Sequence, residues 1–227
     1  MHTGDTFKLL GTLVDPSLSI RPCIESILSK ARPKIRNLLR LKDMYSITEM
    51  LNLYKTHIWS FTEYHSGAII IAQSSQLKRL DAMQRGFLRD LGVSERDAFV
   101  SFNFAPPSLR RDIGLLGLLH KRVLGQCHPG LRSLLPFSEV HAGFPWHNKQ
   151  LESCWQRVRS WRSLYDRSLY MYVLIYNRLP QEFVDLRSVS DLQKRLTVEA
   201  KNLARAEHPK WREVFHDCGN LVNLFYT

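Results

Sequence analysis

A run of cationic side chains with no acid among them is the first candidate for chemistry in this sequence. On a helix, Arg32, Arg36 and Arg40 would form one column, because residues four apart are neighbours on the surface. Like charges in a column repel one another unless a polyanion lies across them, so the expected chemistry is contact with phosphate groups. The alternative is an ordinary solvated face. The whole run is Lys30, Arg32, Lys34, Arg36, Arg40 and Lys42.

A second cationic group comprises Lys78, Arg85 and Arg89, at helical spacing and opposite an apolar stripe that contains Leu80 and Leu88. The chain as a whole has 32 Lys and Arg against 21 Asp and Glu, a formal net charge of +11. This excess favours a polyanionic partner, which we expect to be RNA, DNA or an RNA–DNA duplex.

Aromatic and arginine residues alternate in the last third of the chain. Such a combination can stack single-stranded bases, but aromatic residues at a spacing of three to four are first of all typical of a helical core. Core packing is therefore the favoured interpretation. The aromatic stripe is Trp155, Trp161, Tyr165, Leu169, Tyr172 and Tyr176, and the arginines between are Arg157, Arg159, Arg162 and Arg167.

Catalytic and metal-binding patterns are weak. Glu199-Ala200-Lys201 has the acid-x-Lys spacing of some nucleases, but it falls in a helical stretch where those enzymes need a strand. Zinc ligands usually include a close pair separated by two residues, and no such pair occurs among the candidates. We expect loop histidines rather than a zinc site, and no metal or cofactor. The candidates are Cys127, His128, His141, His147 and Cys154.

The elements that would position these residues are mainly helices. The expected fold is a mainly α helical bundle with a short N-terminal β strand or hairpin at 7–14. An apolar stripe from Ile24 to Leu39 predicts the first long helix, which Pro33 should kink or restart. Ser46 and Glu49 predict a capping box for a second helix, whose stripe runs from Ile47 to Phe61 and extends to Ala72.

Further helices are expected downstream, including one from Trp155 to Leu179 before a turn at Pro180. Leu77 to Leu91 should form a helix closed by Gly92. Pro106-Pro107 should open another, whose centre, Ile113 to Leu119, is apolar nearly all round and so should be buried. Residues 127–147 are interpreted as a loop, and Ser190 with Gln193 as the cap of a last helix. The predicted segments are 1–20, 21–125, 126–150 and 151–227.

Other sequence features concern the compartment. The chain has no run of 18 or more apolar residues, so no membrane span is expected. Met1 to Asp5 do not resemble a secretory leader. The scattered cysteines are expected to be reduced thiols, so a nuclear or cytoplasmic location is expected. They are Cys23, Cys127, Cys154 and Cys218.

Residues 51–91 resemble the region just after the catalytic palm in reverse transcriptases of non-LTR (long interspersed element type) retrotransposons. The matching features are Leu53-Tyr54-Lys55, Glu63-Tyr64, Leu80, Met83, Gln84-Arg85 and Phe87-Leu88-Arg89. Two other segments extend the resemblance to most of the chain. Phe7 to Asp15 resembles the strand that leaves the palm, and Tyr176 to Pro180, Val184 and Ser188 to Gln193 resemble the closing segment of such reading frames.

The resemblance implies that residues 1–20 lead from palm to thumb, 21–125 form a thumb-like bundle, 126–150 a linker and 151–227 a post-thumb helical region. The aspartate pair that holds the two polymerase metals in this family is missing, because no Asp-Asp dipeptide occurs in the chain. The expected function is therefore a grip on RNA or RNA–DNA backbone without polymerisation, with a palm-bearing polymerase chain as a conceivable partner. The alternatives are a helical protein-interaction domain and a decayed retroelement remnant without activity.

Overall fold

The computed structural model describes residues 7–9, 12–15, 20–138, 147–153, 168–216 and 225. The fold is mainly α with one short antiparallel hairpin, as the sequence predicts. The chain divides into two compact units, residues 1–107 and 108–227. This division falls inside the segment 21–125 that the sequence pattern treated as continuous.

The N-terminal segment is a hairpin of two three-residue strands. Strand β1, Phe7–Leu9, pairs with β2, Thr12–Val14, so that Phe7 lies opposite Val14. The inner side chains Thr12 and Val14 are buried, and Val14 joins the apolar cluster beneath the first helix. The hairpin is therefore held by its own pairing and by the helix beside it.

Helix α1 spans Arg21–Leu39, with Pro33 inside it. The predicted apolar stripe is its buried face, including Ile24, Ile27 and Ile35. Pro33 does not start a new helix. Proline has no N–H, so the hydrogen bond to the carbonyl of Ser29 is lost. Because Pro33 and Ser29 are exposed, water can reach that carbonyl. The buried stripe holds the turns on either side together.

Helix α2, Ile47–Tyr54, begins with the predicted capping box: Ser46 N–H donates to Glu49 Oε2 (2.8 Å), and Glu49 N–H donates to Ser46 Oγ (3.4 Å). Ile47, the first residue of the predicted stripe, is 42% exposed, so the prediction is wrong at this residue. The stripe does not belong to one long helix either. A π-helical turn, Lys55–Trp59, is followed by α3, Ser60–Thr62, a 3-10 turn, Glu63–His65, and α4, Ser66–Ile69.

Helix α5 spans Ser74–Asp90 and ends, as predicted, before Gly92, whose φ of 71° is the left-handed conformation that glycine tolerates best. Helix α6, Glu95–Phe102, follows at once. Two apolar clusters define how α1 and α5 pack. One joins Ile24 and Leu28 to Leu80, and the other joins Ile35 to Phe87. The two helices therefore run parallel.

The second unit contains helix α7, Pro107–Val123, and helix α8, Pro129–Leu134. The predicted burial of the centre of α7 is confirmed at Ile113, Leu116 and Leu119 but not at Gly114 and Leu118, which are exposed. Helix α8 lies in the segment predicted as a loop. It forms because the imidazole Nδ1 of His128 accepts a hydrogen bond from Gly130 N–H (3.1 Å), as an N-cap does.

From 168 to 216, the described residues form three further helices: α9, Leu169–Tyr176, α10, Gln181–Val184, and α11, Val189–Arg205. The cap of α11 is Ser188, whose Oγ accepts from Asp191 N–H (3.0 Å), and not Ser190 with Gln193. A 3-10 turn, Trp211–Glu213, follows. Among all the helices described, none combines the length and the apolarity that crossing a bilayer requires.

Candidate nucleic-acid interface

The cations predicted from 30 to 42 are all exposed, but they lie on two edges of α1. Arg32 and Arg36 lie on the side that faces α5. Lys34 lies on the opposite side, with its Nζ 4.8 Å from the ring centroid of Phe61. Lys30 is on that side too, since its charge helps to lower the pKa of His65, which burial lowers most. The run is therefore not one surface.

The remaining members, Arg40 and Lys42, follow the end of α1. Arg40 is the C-cap of the helix, and Lys42 lies in the turn that leads to α2. Both side chains are exposed.

The cations of α5 are placed as the sequence pattern predicts. Lys78, Arg85 and Arg89 are exposed, and Leu80 and Leu88 are buried on the other side of the helix. Arg89 has an ion pair with Asp90 at 3.6 Å, but its side chain is 82% exposed, so water screens this pair strongly.

A groove of about 520 Å³ runs between α1 and α5. A second depression, of about 650 Å³, runs between α5 and the start of α6. Both share Ala82 and Gly86, so the two form one continuous surface, which we call the arginine groove. Its lining combines five arginines, two acids and a floor of small and apolar residues. The arginines are Arg32, Arg36, Arg79, Arg85 and Arg89, and the acids are Asp90 and Glu95.

Arg79 is the residue of this groove that the sequence analysis missed. Its guanidinium binds both carboxylate oxygens of Glu25 on α1, with 3.0 Å between Nη2 and Oε2. This hydrogen bonding holds the pKa of Glu25 below its usual value, with smaller contributions from Arg21 and Arg32. The pair crosses from α1 to α5, beside the apolar contacts that hold the two helices together. Its partners are 54 residues apart, so no local pattern could reveal it.

Arg32, Arg36 and Arg85 form no ion pair with any residue that the structure describes. Glu25 neutralises Arg79, and Asp90 and Glu95 offset two of the other four guanidinium groups, so the groove keeps an excess of two positive charges. A guanidinium offers five N–H donors in a fork that suits phosphate oxygens. The arrangement can therefore hold phosphates close to the surface of α5.

Gln84, next to Arg85 in the sequence, is buried and structural. Trp59 Nε1–H donates to its Oε1 (3.1 Å), and its Nε2–H donates to the carbonyl of Ala105 (3.0 Å). The Trp59 ring in turn stacks on Phe104 at 4.7 Å. This bridge orients α5, so Gln84 determines which direction Arg85 faces.

Tyr54 and Lys55, which also belong to the pattern described in the sequence of residues 51–91, stabilise the fold as well. The ring of Tyr54 is buried between Phe87 and Phe104, with centroids 4.5 and 5.3 Å away. Lys55 Nζ donates to the carbonyl of Phe102 (3.0 Å). Both tie the α2 region to the elements that flank α5.

The zinc-type residues are occupied by other contacts where the structure describes them. His147 Nε2 lies 3.1 Å from the carbonyl of Tyr176, and its Nδ1 accepts from Lys149 N–H (3.1 Å). His141 and Cys154 lie outside the described residues. Within the part of the chain that is described, no three His, Cys, Asp or Glu side chains come together as a metal site would need.

The aromatic stripe falls only partly in the described chain. Tyr172 and Tyr176 are buried, as a core would require. Tyr172 O–H donates to Asp112 (2.6 Å), and the hydroxyl of Tyr176 lies 2.9 Å from His120 Nδ1. The other aromatic residues and the arginines of this stripe, from 155 to 167, are outside the described residues.

Comparison of the chain with protein-family models, with curated proteins and with solved structures found no match.

Proposed function

We propose that this chain binds the phosphate backbone of an RNA, DNA or RNA–DNA duplex through the arginine groove. The observation that carries the proposal is the continuity of this surface: the depression lined by Arg32 and Arg36 adjoins the one lined by Arg85 and Arg89, and Ala82 and Gly86 line both. Backbone contacts position a nucleic acid without reading its sequence. Binding is therefore expected to tolerate any sequence.

The floor of the groove supports the same proposal. Ala82 and Gly86 lie between the arginine walls, so the surface there is close to the helix backbone. A phosphate strand on this floor can reach guanidinium groups from both sides. The chain does not need to rearrange, because the buried apolar contacts between α1 and α5 already set the distance between the walls.

The resemblance to the thumb of non-LTR retrotransposon reverse transcriptases is part of the proposal. A thumb grips a template–primer duplex and leaves the chemistry to the palm. Because the chain lacks an aspartate pair, we propose that it has no polymerase activity by itself. Primer extension with Mg²⁺ or Mn²⁺ should give no product, and extension that survives repurification would contradict this.

The test of the proposal is the salt dependence of binding. With about four phosphate contacts, a plot of log affinity against log salt should have a slope of roughly −3 to −4, taking about 0.9 per phosphate. The measurement is fluorescence anisotropy with a labelled RNA–DNA duplex over a salt series. A flat response would instead favour the protein-interaction or remnant alternative.

Two pairs of variants separate the edges of α1. Arg32→Gln with Arg36→Gln removes charge from the groove, and Lys30→Gln with Lys34→Gln removes the same charge from the opposite edge. We expect the arginine pair to lower affinity and to shallow the slope by about 1–2 units, and the lysine pair to have a much smaller effect. Arg85→Gln with Arg89→Gln should behave like the first pair. Equal effects of both α1 pairs would mean that the groove is not the site.

A further inference from the structure

The turn after α1 exposes large apolar side chains on an ordered backbone. Met44 is 76% exposed, Tyr45 44% and Ile47 42%. The turn is held by hydrogen bonds from Leu41 N–H to Leu38 O (2.9 Å) and from Met44 N–H to Leu41 O (3.0 Å). The capping box of Ser46 then anchors its far end. The backbone that carries these exposed side chains is therefore held in place by hydrogen bonds.

The turn lies beyond one end of the arginine groove. Since α1 and α5 run parallel, their C-terminal ends meet at the same end of the groove, which is lined there by Leu39 and Asp90. The next residues of the chain are Arg40 and the turn itself. At the other end, Glu25 on α1 is paired with Arg79 on α5. A strand that runs along the groove and passes Leu39 therefore reaches the turn.

The charge of the turn suits the same occupant. Arg40 and Lys42 precede the exposed apolar side chains and form no ion pair within the described chain. Asp43 lies between Lys42 and Met44, and the next acid, Glu49, is bonded to Ser46. An exposed aromatic ring beside cations is the combination that binds unpaired nucleotides, since every base can stack on the ring while the cations contact its phosphates.

We propose that this turn is a stacking platform for an unpaired base at the end of the nucleic acid held in the groove. Tyr45 stacks on the base, Met44 extends the apolar surface, and Arg40 and Lys42 contact the phosphates next to it. The proposal rests on the proposed function, because the groove delivers the strand to the turn. It adds a preference for a duplex that ends in a single-stranded overhang.

The experiment compares a blunt RNA–DNA duplex with the same duplex carrying an overhang of a few nucleotides, each bound to the full chain. We expect the overhang to improve affinity about five- to tenfold, in the range of one base–aromatic stack. Tyr45→Ser should remove this advantage and leave blunt-duplex binding unchanged, whereas Tyr45→Phe should keep it. A 2-aminopurine base in the overhang should lose fluorescence on binding to the wild type and not to Tyr45→Ser.

Tyr64→Ser is the matched control, since Tyr64 is another exposed tyrosine of the same unit, at 69%. It should keep the overhang advantage. If blunt and overhanging duplexes bind equally, or if the advantage survives Tyr45→Ser, the platform is wrong while backbone binding stands, and the turn is better explained as a protein contact. If neither duplex binds in a salt-dependent way, the proposed function itself fails.

Discussion

Gln84 and Arg85 are neighbours in the chain with opposite environments. Gln84 is 1% exposed and bridges Trp59 to Ala105, and Arg85 is exposed at the edge of the groove. A pattern of residue types treats the two as one motif. In the structure, one residue positions the helix and the other faces the proposed ligand.

Replacing Gln84 with Ala should therefore destabilise the fold. It leaves Trp59 N–H and the Ala105 carbonyl without their partner, which costs about 1–3 kcal/mol in buried surroundings. Arg85→Ala should cost less than about 0.5 kcal/mol, as exposed substitutions usually do. Urea unfolding of both variants measures the difference. Equal losses would mean that the Gln84 bridge contributes nothing to stability.

His216 provides a pH-dependent contribution to stability in the second unit. Its Nδ1 lies 3.8 Å from Oδ1 of buried Asp112, which raises the pKa of His216 as a hydrogen-bond acceptor and through its charge, with a smaller contribution from Glu213. A raised pKa in the fold means that the stabilisation is complete below the unfolded value of about 6.5 and is lost as pH rises through the folded value.

The variant His216→Gln should thus lose stability mainly at low pH. Its difference from the wild type in free energy of unfolding should be largest near pH 6 and should shrink toward pH 9. Burial lowers the pKa values of His120 and His147 in both proteins. Their contribution to the pH dependence is therefore the same in both and cancels in the difference. A difference that stays constant or grows with pH would contradict the interaction with Asp112.

At the scale of elements, the sequence patterns predicted those helix faces and helix ends that depend on neighbouring residues. The apolar stripe of α1, the capping box at Ser46 and the Gly92 end of α5 each depend on residues a few positions apart, and the structure confirms them. The cap of α11 was placed two residues late because Ser188 and Ser190 both offer a hydroxyl. Each also has a polar residue three positions on, Asp191 or Gln193, so spacing alone cannot decide between them.

The site could be predicted only in part, because its walls come together through distant contacts. The exposed faces of α1 and α5 follow from their stripes. The division of the α1 cations does not, since it depends on Phe61 lying beside Lys34 and on α5 lying beside Arg32. Arg79 was missed for the same reason.

Gly86 tests what the floor of the groove requires. It lies inside α5, where glycine costs about 0.5–1 kcal/mol relative to alanine, and a Cβ there would meet no atom within 4 Å. Gly86→Ala should therefore stabilise the protein by about that amount. Gly86→Leu should also fold but should weaken duplex binding, since its side chain fills the floor between the arginines.

Ser75→Leu is the control for this pair of variants, as Ser75 is exposed on α5 and does not line the groove. It should leave affinity unchanged. Thermal unfolding and duplex affinity are measured for all three. Undiminished binding by Gly86→Leu would place the nucleic acid elsewhere.

For the whole molecule, the positive charge is not concentrated where the groove is. Residues 1–107 contain 14 Lys and Arg against 10 Asp and Glu, and residues 108–227 contain 18 against 11. The groove thus depends on the arrangement of its arginines more than on excess charge. The second unit adds a diffuse attraction for any polyanion.

This difference predicts the behaviour of a fourfold variant. With Arg32, Arg36, Arg85 and Arg89 all changed to Gln, duplex affinity should fall steeply at moderate salt, while weak binding remains at low salt through the second unit. Far-ultraviolet circular dichroism should keep the mainly helical spectrum of the wild type, because all four side chains are exposed. A loss of helicity, or an unchanged salt slope, would contradict this.

The π-helical turn Lys55–Trp59 lies between α2 and α3, so its length determines how those two elements are joined. A π turn accommodates one residue more than an α-helix needs. Deleting Thr56 or His57, both exposed, would therefore leave a regular helix with the segments on either side still in phase. The same deletion inside α1 or α5 would rotate all that follows by about 100°. A single deletion in the turn that spares Trp59, the partner of Gln84, should thus be tolerated better than one inside α1 or α5, and the midpoints of thermal unfolding of the three deletion variants would measure the difference.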